Sequence, residues 1–273
     1  MEVHEHIAEL RRGGELMAAA AERAGLASSV PSCRDWQVRD LLRHTGYVHQ
    51  WAARFVAEGL PRPVPTATEA EIIAGDPPDP ELIGWFREGH ARLVTALTDA
   101  DPGLSCWSFL PAPSPRAFWA RRQAHETAVH RVDAELAAGA GVTPVSAEFA
   151  ADGVDELIMG FFGRDQRQLS AAQRDGRRQT LQVRATDTGS EWLVSLTEDG
   201  KLAASVERGS GGGSDSSENA ASDGGAHVEL AGPATGLYLL LWNRADPATA
   251  GVEVSGDAEV LESWRGGMRV TWS

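Results

Sequence analysis

Cysteine, basic residues and long apolar runs are all scarce in this sequence. Its two cysteines, Cys33 and Cys106, have no paired spacing, so neither a disulfide framework nor a cysteine-ligated zinc site is expected. The longest strongly apolar run, residues 237–242, is far too short to span a bilayer, and residues 1–16 lack the apolar core of a signal peptide. The sequence therefore predicts a cytoplasmic protein that is neither exported nor embedded in a membrane.

Positive charge is also in deficit. Lys and Arg total 25 against 39 for Asp and Glu, which gives a formal net charge of −14. Because such a surface repels the phosphate backbone, nucleic acid is not an expected partner. An anionic substrate would need local positive charge, so any arginine near a candidate site gains interest.

The organisation along the chain predicts two domains of the α+β class. Helical spacing of apolar residues marks four helices within residues 1–165, which predicts a four-helix bundle. A fifth helical pattern covers residues 147–162, and the periodicity then changes to alternation. Residues 166–273 therefore form the predicted second domain. The predicted helix of this domain covers residues 233–244, and the Gly/Ser-rich residues 209–225 are predicted to be a mobile loop. The predicted strands cover residues 180–186, 191–197, 201–208, 226–230 and 268–272.

Three residues in the predicted bundle could hold a metal ion. Glu126 and His130 are four apart on one helix, so both side chains reach the same ion, although this spacing is also common on solvated helix faces. His44 interrupts the apolar stripe of another helix, where a buried imidazole binds either a metal or a backbone carbonyl. Two histidines and one carboxylate leave a coordination position open, which is the catalytic arrangement for zinc.

Several residues near these three candidate ligands in the sequence can be interpreted in two ways. Arg121 and Arg122 are either a solvated pair or, in the case of Arg122, a partner of the Glu126 carboxylate four residues later. Asp40 and Asp133 either orient metal-binding histidines or neutralise nearby arginines. His49, His90 and His125 are not expected to be ligands, and both cysteines are expected to be packing residues.

Four segments of the chain carry a family resemblance. WQVRDLLRH (residues 36–44), AHETAVHRVDAE (124–135), ADGVDEL (151–157) and GLYLLLWNR (236–244) together resemble the mycothiol-dependent maleylpyruvate isomerase family. The resemblance implies a DinB-like four-helix N-terminal domain that binds zinc through His44, Glu126 and His130. It also implies that Arg244 corresponds to a family arginine associated with catalysis.

The resemblance further implies a thiol cosubstrate. In this family zinc binds the thiolate of mycothiol, an actinobacterial thiol, and coordination lowers the thiol pKa. The thiolate either adds to a conjugated double bond and leaves after rotation, as in an isomerase, or stays attached, as in an S-transferase. Arg244 could recognise a dicarboxylate acceptor, although its position near a helix end is also explained by the helix dipole.

Other functions remain compatible with the same residues. An open zinc site of this kind can activate water for hydrolysis of an amide or ester, and a thiol-binding module without turnover is a third reading. The expected partners are a small-molecule thiol and an electrophilic substrate. The chain is expected to act as a monomer or a weak homo-oligomer.

Overall fold

The computed structural model of the chain describes residues 1–63, 77–162, 179–196, 202–208 and 226–267. The chain divides into two compact units, Met1–Thr143 and Pro144–Ser273. The boundary predicted at residues 165/166 lies outside the described residues, and the observed division comes earlier. The reason is that the helix Ala147–Asp155 packs against the helix Ala234–Leu241 of the C-terminal unit. Among the described residues, no helix is both long and apolar enough to cross a membrane.

The described part of the N-terminal unit contains four long helices, as predicted. The first two begin with capping boxes, in which Glu2 pairs with Glu5 and Gln37 with Asp40, so that exposed backbone N–H groups are satisfied. The last begins with the side chain of Ser114 accepting a hydrogen bond from the backbone of Ala117. The helices are α1 (Val3–Ala24), α2 (Val38–Glu58), α3 (Asp79–Asp99) and α4 (Pro115–Ala137).

Helix α4 is the most deeply buried of the four. Almost every residue from Phe118 to Glu135 is buried, whereas the other three helices keep an exposed face. Helix α1 packs along α4, and α2 packs along α3. A core cluster joins the first three helices through side chains that include Met17, Leu41 and Phe86. Polar side chains on α4 are therefore placed in the interior of the bundle.

The C-terminal unit contains a five-stranded mixed sheet in the order β3-β2-β1-β4-β5. Strand β1 is parallel to β4, and the remaining neighbours are antiparallel. Alternate residues Leu181 and Val183 of β1 are fully buried, as the predicted alternation requires. The strands are β1 (Gln179–Ala185), β2 (Ser190–Leu196), β3 (Leu202–Arg208), β4 (Ala226–Gly232) and β5 (Glu253–Gly256).

The helices of this unit differ in part from the prediction. The fifth helical pattern is an α-helix that continues as a π-helix at Glu156–Phe162, a widening that side-chain periodicity does not reveal. Strand β5 and the last helix were not predicted, because a four-residue strand carries too little alternation to be recognised. The predicted strand at residues 268–272 and the predicted loop at residues 209–225 lie outside the described residues. The helices are α5 (Ala147–Asp155), α6 (Ala234–Leu241), α7 (Pro247–Ala250) and α8 (Ala258–Gly267).

Candidate metal centre

The three predicted metal ligands come together inside the N-terminal unit. Nε2 of His44 lies 3.2 Å from Oε1 of Glu126, and Nε2 of His130 lies 3.2 Å from the same oxygen. One potential ligand atom from each residue lies within 4.8 Å of the others. In a tetrahedral zinc site with bonds of about 2.1 Å, neighbouring ligand atoms are about 3.4 Å apart. The three donors therefore fit a single zinc ion without a large rearrangement.

Two helices position these donors. Glu126 and His130 are one turn apart on α4, and His44 lies on α2. Because α4 is buried around most of its circumference, its carboxylate and imidazole point into the bundle rather than into bulk water. Glu126 is 4% exposed and His130 is 8% exposed, whereas His44 is partly exposed. Two of the three donors are therefore buried, and the third, His44, is partly exposed to solvent.

The loop between α1 and α2 forms one wall of this site. The ring of Trp36 lies 5.0 Å from the ring of His44 and is stacked 6.2 Å from the ring of His130, measured between centroids. Backbone hydrogen bonds hold the loop in place, among them that from the Val30 N–H to the Trp36 carbonyl at 2.9 Å. An aromatic wall restricts the orientations of both imidazole rings.

A second set of polar residues contacts the three donors. Nη2 of Arg122 lies 2.7 Å from Oε2 of Glu126, and Arg122 is completely buried. The structure therefore supports the interpretation that Arg122 is a partner of Glu126. The alternative interpretation, that Arg122 is solvated, is wrong. Oδ2 of Asp133 lies 2.8 Å from Nδ1 of His130. Asp40, in contrast, accepts the backbone N–H of Gln37 at 2.9 Å and serves as a helix cap.

The close contacts shift the pKa values of two donors in opposite directions. Burial alone would raise the pKa of Glu126, but the charge of His130 and the hydrogen bonds from His130 and His44 hold it well below its usual value. Burial likewise opposes a charge on His130, yet the Glu126 carboxylate and Asp133 raise the pKa of His130 to about 9. Both shifts favour the charged forms, a Glu126 carboxylate beside a protonated His130. A metal ion would displace the proton of His130 when it binds.

The remaining predicted residues are not among the three donors. Arg244 follows α6 in the C-terminal unit, and its Nη1 donates to the Trp242 carbonyl at 2.6 Å. His49 is fully buried and lies 2.8 Å from the Thr127 hydroxyl, and His90 lies 3.3 Å from the Arg11 carbonyl, so neither belongs to this donor set. Cys106 is buried, and burial raises the pKa of its thiol, as expected for a packing residue.

Two contributors to the site were not recognised from the sequence. Ser32 donates a hydrogen bond from its hydroxyl to Oδ1 of Asp133. Trp36 contacts the rings of both His44 and His130. Neither has a spacing that relates it to the donors on α4, because the contacts join positions about one hundred residues apart.

The fold and the site define a class of protein: a helical bundle with a candidate two-histidine, one-carboxylate metal centre, followed by an α+β unit. Residues 7–135 match the family profile described as mycothiol maleylpyruvate isomerase N-terminal domain, and residues 148–263 match the one described as MDMPI C-terminal domain. The chain therefore belongs to the mycothiol maleylpyruvate isomerase family, which is named for an enzyme.

Solved structures show the same fold. A crystal structure of the mycothiol-dependent maleylpyruvate isomerase aligns with a TM-score of 0.57 at 16% identity and 93% coverage of each chain. A mutant of that isomerase, with alanine in place of one histidine, aligns with a TM-score of 0.58 at 15% identity and 93% coverage of each chain. Curated protein sequences gave no match. At these identities the likeness establishes the fold, and the chemistry has to be argued from the residues themselves.

Proposed function

We propose that this chain is a zinc-dependent enzyme that uses mycothiol to act on an electrophilic small molecule. The observation that carries the proposal is the convergence of His44, Glu126 and His130 on one point, at separations that suit a tetrahedral ion. Membership of a family named for a mycothiol-dependent isomerase supplies the thiol. Cytoplasmic location is part of the same proposal, since a low-molecular-weight thiol stays reduced there.

The donor set favours a catalytic ion over a structural one. Structural zinc sites use four protein ligands, and catalytic sites use three. Zinc bound by such a set lowers the pKa of a coordinated thiol, so that the thiolate is present near neutral pH. Two neutral imidazoles and one carboxylate cancel only one of the two positive charges of the ion, which favours an anionic sulfur as the next ligand.

The surrounding residues hold this donor set in place. Arg122 binds Oε2 of Glu126, which leaves Oε1 directed at the two histidines. Trp36 restricts the rings of both histidines from one side. Because these side chains already contact the donors, little further ordering is needed for an ion to bind.

Arg244 is proposed to recognise the acceptor. The chain as a whole is strongly acidic, with a formal net charge of −14, so a carboxylate-bearing acceptor requires a local cation. A guanidinium binds a carboxylate through two parallel hydrogen bonds, which also fixes its orientation. Arg244 is chosen because the segment GLYLLLWNR, which ends at this residue, resembles the family at the position of an arginine associated with catalysis.

The proposed reaction is cis–trans isomerisation, and S-transfer is the alternative that shares the same nucleophile. The two structural neighbours are maleylpyruvate isomerases by name, which favours isomerisation. Thiol balance distinguishes the two reactions. An isomerase returns mycothiol unchanged after each turnover, whereas a transferase consumes one thiol per product and yields an S-conjugate that mass spectrometry detects.

The first prediction concerns zinc and thiol binding. Purified protein should contain close to one zinc per chain by elemental analysis, and calorimetry with mycothiol should give a binding heat. His44→Ala should abolish both. Removing a direct ligand should weaken zinc binding by more than the roughly 10–100-fold that is typical when a residue outside the coordination sphere is removed.

The matched control is His49→Gln, which alters a buried histidine of the same helix that is not one of the three donors. This variant should keep its zinc and its thiol binding. Zinc-free protein, zinc that persists in His44→Ala, or ester or amide hydrolysis in the absence of any thiol would overturn the proposal.

A further inference from the structure

The two ring nitrogens of His130 face different partners. Nε2 lies 3.2 Å from Oε1 of Glu126, inside the donor set, and Nδ1 lies 2.8 Å from Oδ2 of Asp133. Asp133 is three residues after His130 on α4, so the two side chains lie on the same side of the helix. The ring is thus held between a candidate ligand and a carboxylate that is not a ligand.

Asp133 is itself held from a second direction. It is completely buried, and its other oxygen, Oδ1, accepts the hydroxyl hydrogen of Ser32. Ser32 lies in the loop between α1 and α2, where the Cys33 N–H donates to the Val30 carbonyl at 3.1 Å. The carboxylate is therefore oriented by α4 on one side and by the loop on the other.

This arrangement selects which nitrogen can bind a metal ion. A carboxylate only accepts hydrogen bonds, and Asp133, unlike Glu126, is outside the donor set. When an ion binds at Nε2, the single hydrogen of the neutral ring therefore lies on Nδ1, between His130 and Asp133. A neutral imidazole carries one N–H, which leaves the lone pair on Nε2. Nε2 is the atom that faces Glu126. The opposite tautomer would present an N–H to the ion and could not bind it.

We propose that Asp133 is a positioning residue of the metal centre, supported by Ser32. It fixes the tautomer and ring orientation of His130 and increases the electron density at Nε2, as a hydrogen-bonded carboxylate does for a metal-binding histidine. This inference rests on the proposed zinc site. It adds two residues, one of them on a separate loop, to the three that the family resemblance implies.

The test measures zinc affinity of the metal-stripped protein by competition with a chelator. Asp133→Ala should bind zinc about 10–100-fold more weakly than wild type, as is typical for loss of such a partner. Asp133→Asn can still accept the Nδ1 hydrogen but lacks the charge, so its affinity should lie between the two. Ser32→Ala removes only the support of the carboxylate and should also be intermediate.

A second readout separates positioning from general stability. In the zinc-loaded wild type, the Nδ1 proton of His130 should give a downfield NMR resonance that exchanges slowly with water. Asp133→Ala should move this resonance upfield or lose it to exchange, and Asp133→Asn should retain it. If Asp133→Ala does not fold, the affinity and spectrum of Asp133→Asn decide the question.

Glu135→Gln is the matched control. Glu135 is a buried carboxylate two residues along the same helix, but it binds Arg131 and Thr143 rather than a candidate ligand. Its substitution should lower stability while zinc affinity and the His130 resonance stay unchanged. Wild-type affinity in both Asp133 variants overturns the positioning role alone, whereas wild-type protein that fails to bind zinc overturns the proposed function.

Discussion

Arg122 is an uncommon residue in energetic terms, because a cation with no exposed surface needs a partner at close range. Its Nη2 lies 2.7 Å from Oε2 of Glu126, one turn later on α4. Removing one member of a buried ion pair leaves the other charge desolvated and less well compensated, which costs more than the net stabilisation from the pair. The arginine thus matters for stability as well as for the orientation of a candidate ligand.

We expect Arg122→Ala to lower the free energy of unfolding of the metal-free protein by about 3–5 kcal/mol. Urea denaturation measures this loss. Arg54→Ala is the matched control, since Arg54 and Glu58 form an ion pair at the same spacing on a largely exposed helix face. That pair should contribute about 0.5 kcal/mol or less. Equal losses in the two variants would contradict the argument from burial.

At the scale of elements, glycine sets how closely α1 can approach α3. A Cβ built on Gly14 of α1 would lie 2.4 Å from Cε1 and Nε2 of His90, which is buried on α3. A contact that short forces the imidazole or the helix to move. Gly84, on the same α3, has no atom within 4 Å of such a Cβ. Both glycines therefore have a helical backbone, but only Gly14 is closely packed against a side chain of another helix.

Gly84→Ala should raise the free energy of unfolding by about 0.5–1 kcal/mol, because alanine has the higher helix propensity. Gly14→Ala should lower it, because an overpacking cost of about 1–3 kcal/mol exceeds that gain. Chemical denaturation of both variants gives the comparison. A stabilised Gly14→Ala protein would show that the α1–α3 contact can relax without cost.

At the scale of the whole molecule, two buried histidines connect stability to pH. The rings of His49 and His90 lie 5.1 Å apart between centroids, and their exposed fractions are 0% and 3%. Burial, and then the neighbouring His90, hold the pKa of His49 well below its usual value, and burial also lowers the pKa of His90. Both rings are therefore neutral in the folded protein at pH values where the unfolded chain is protonated.

The sign of the pH effect follows from linkage. A histidine with a pKa near 6.5 when unfolded and a lower pKa when folded takes up its proton preferentially in the unfolded state, so stability falls as the pH drops below about 6.5. His130 has the opposite shift, and its contribution is complete below that pH and lost as the pH rises through about 9. Between about pH 5 and 6.5 the slope from His130 is therefore small, and the slope from the buried pair adds to that of the other groups that titrate in this range.

We expect the metal-free protein to lose up to about 1.4 kcal/mol per pH unit for each of these two histidines in that range. His49→Gln should reduce the slope by up to the same amount, whatever its effect on stability at pH 7. Urea denaturation at several pH values measures both slopes. Identical slopes would mean that His49 is protonated in the folded state as readily as in the unfolded chain.

Local patterns in the sequence determined a substantial part of this protein. The four bundle helices, four of the described strands and the resemblance to the family could all be predicted, because periodicity, capping and motif order depend only on near neighbours in the chain. Glu126 and His130 share one helix face for the same reason. His44 was found because an imidazole within an apolar stripe is a local anomaly.

Tertiary structure alone decided which residues surround the donors. Asp133 is three residues from His130, and this spacing indicated that the two side chains could be in contact. The burial of Asp133 and its hydrogen bond from Ser32, however, depend on where the α1–α2 loop packs against α4. The complete burial of Arg122 likewise follows from the central position of α4. Such contacts join positions far apart in the chain and are created by packing, so no pattern of near neighbours encodes them.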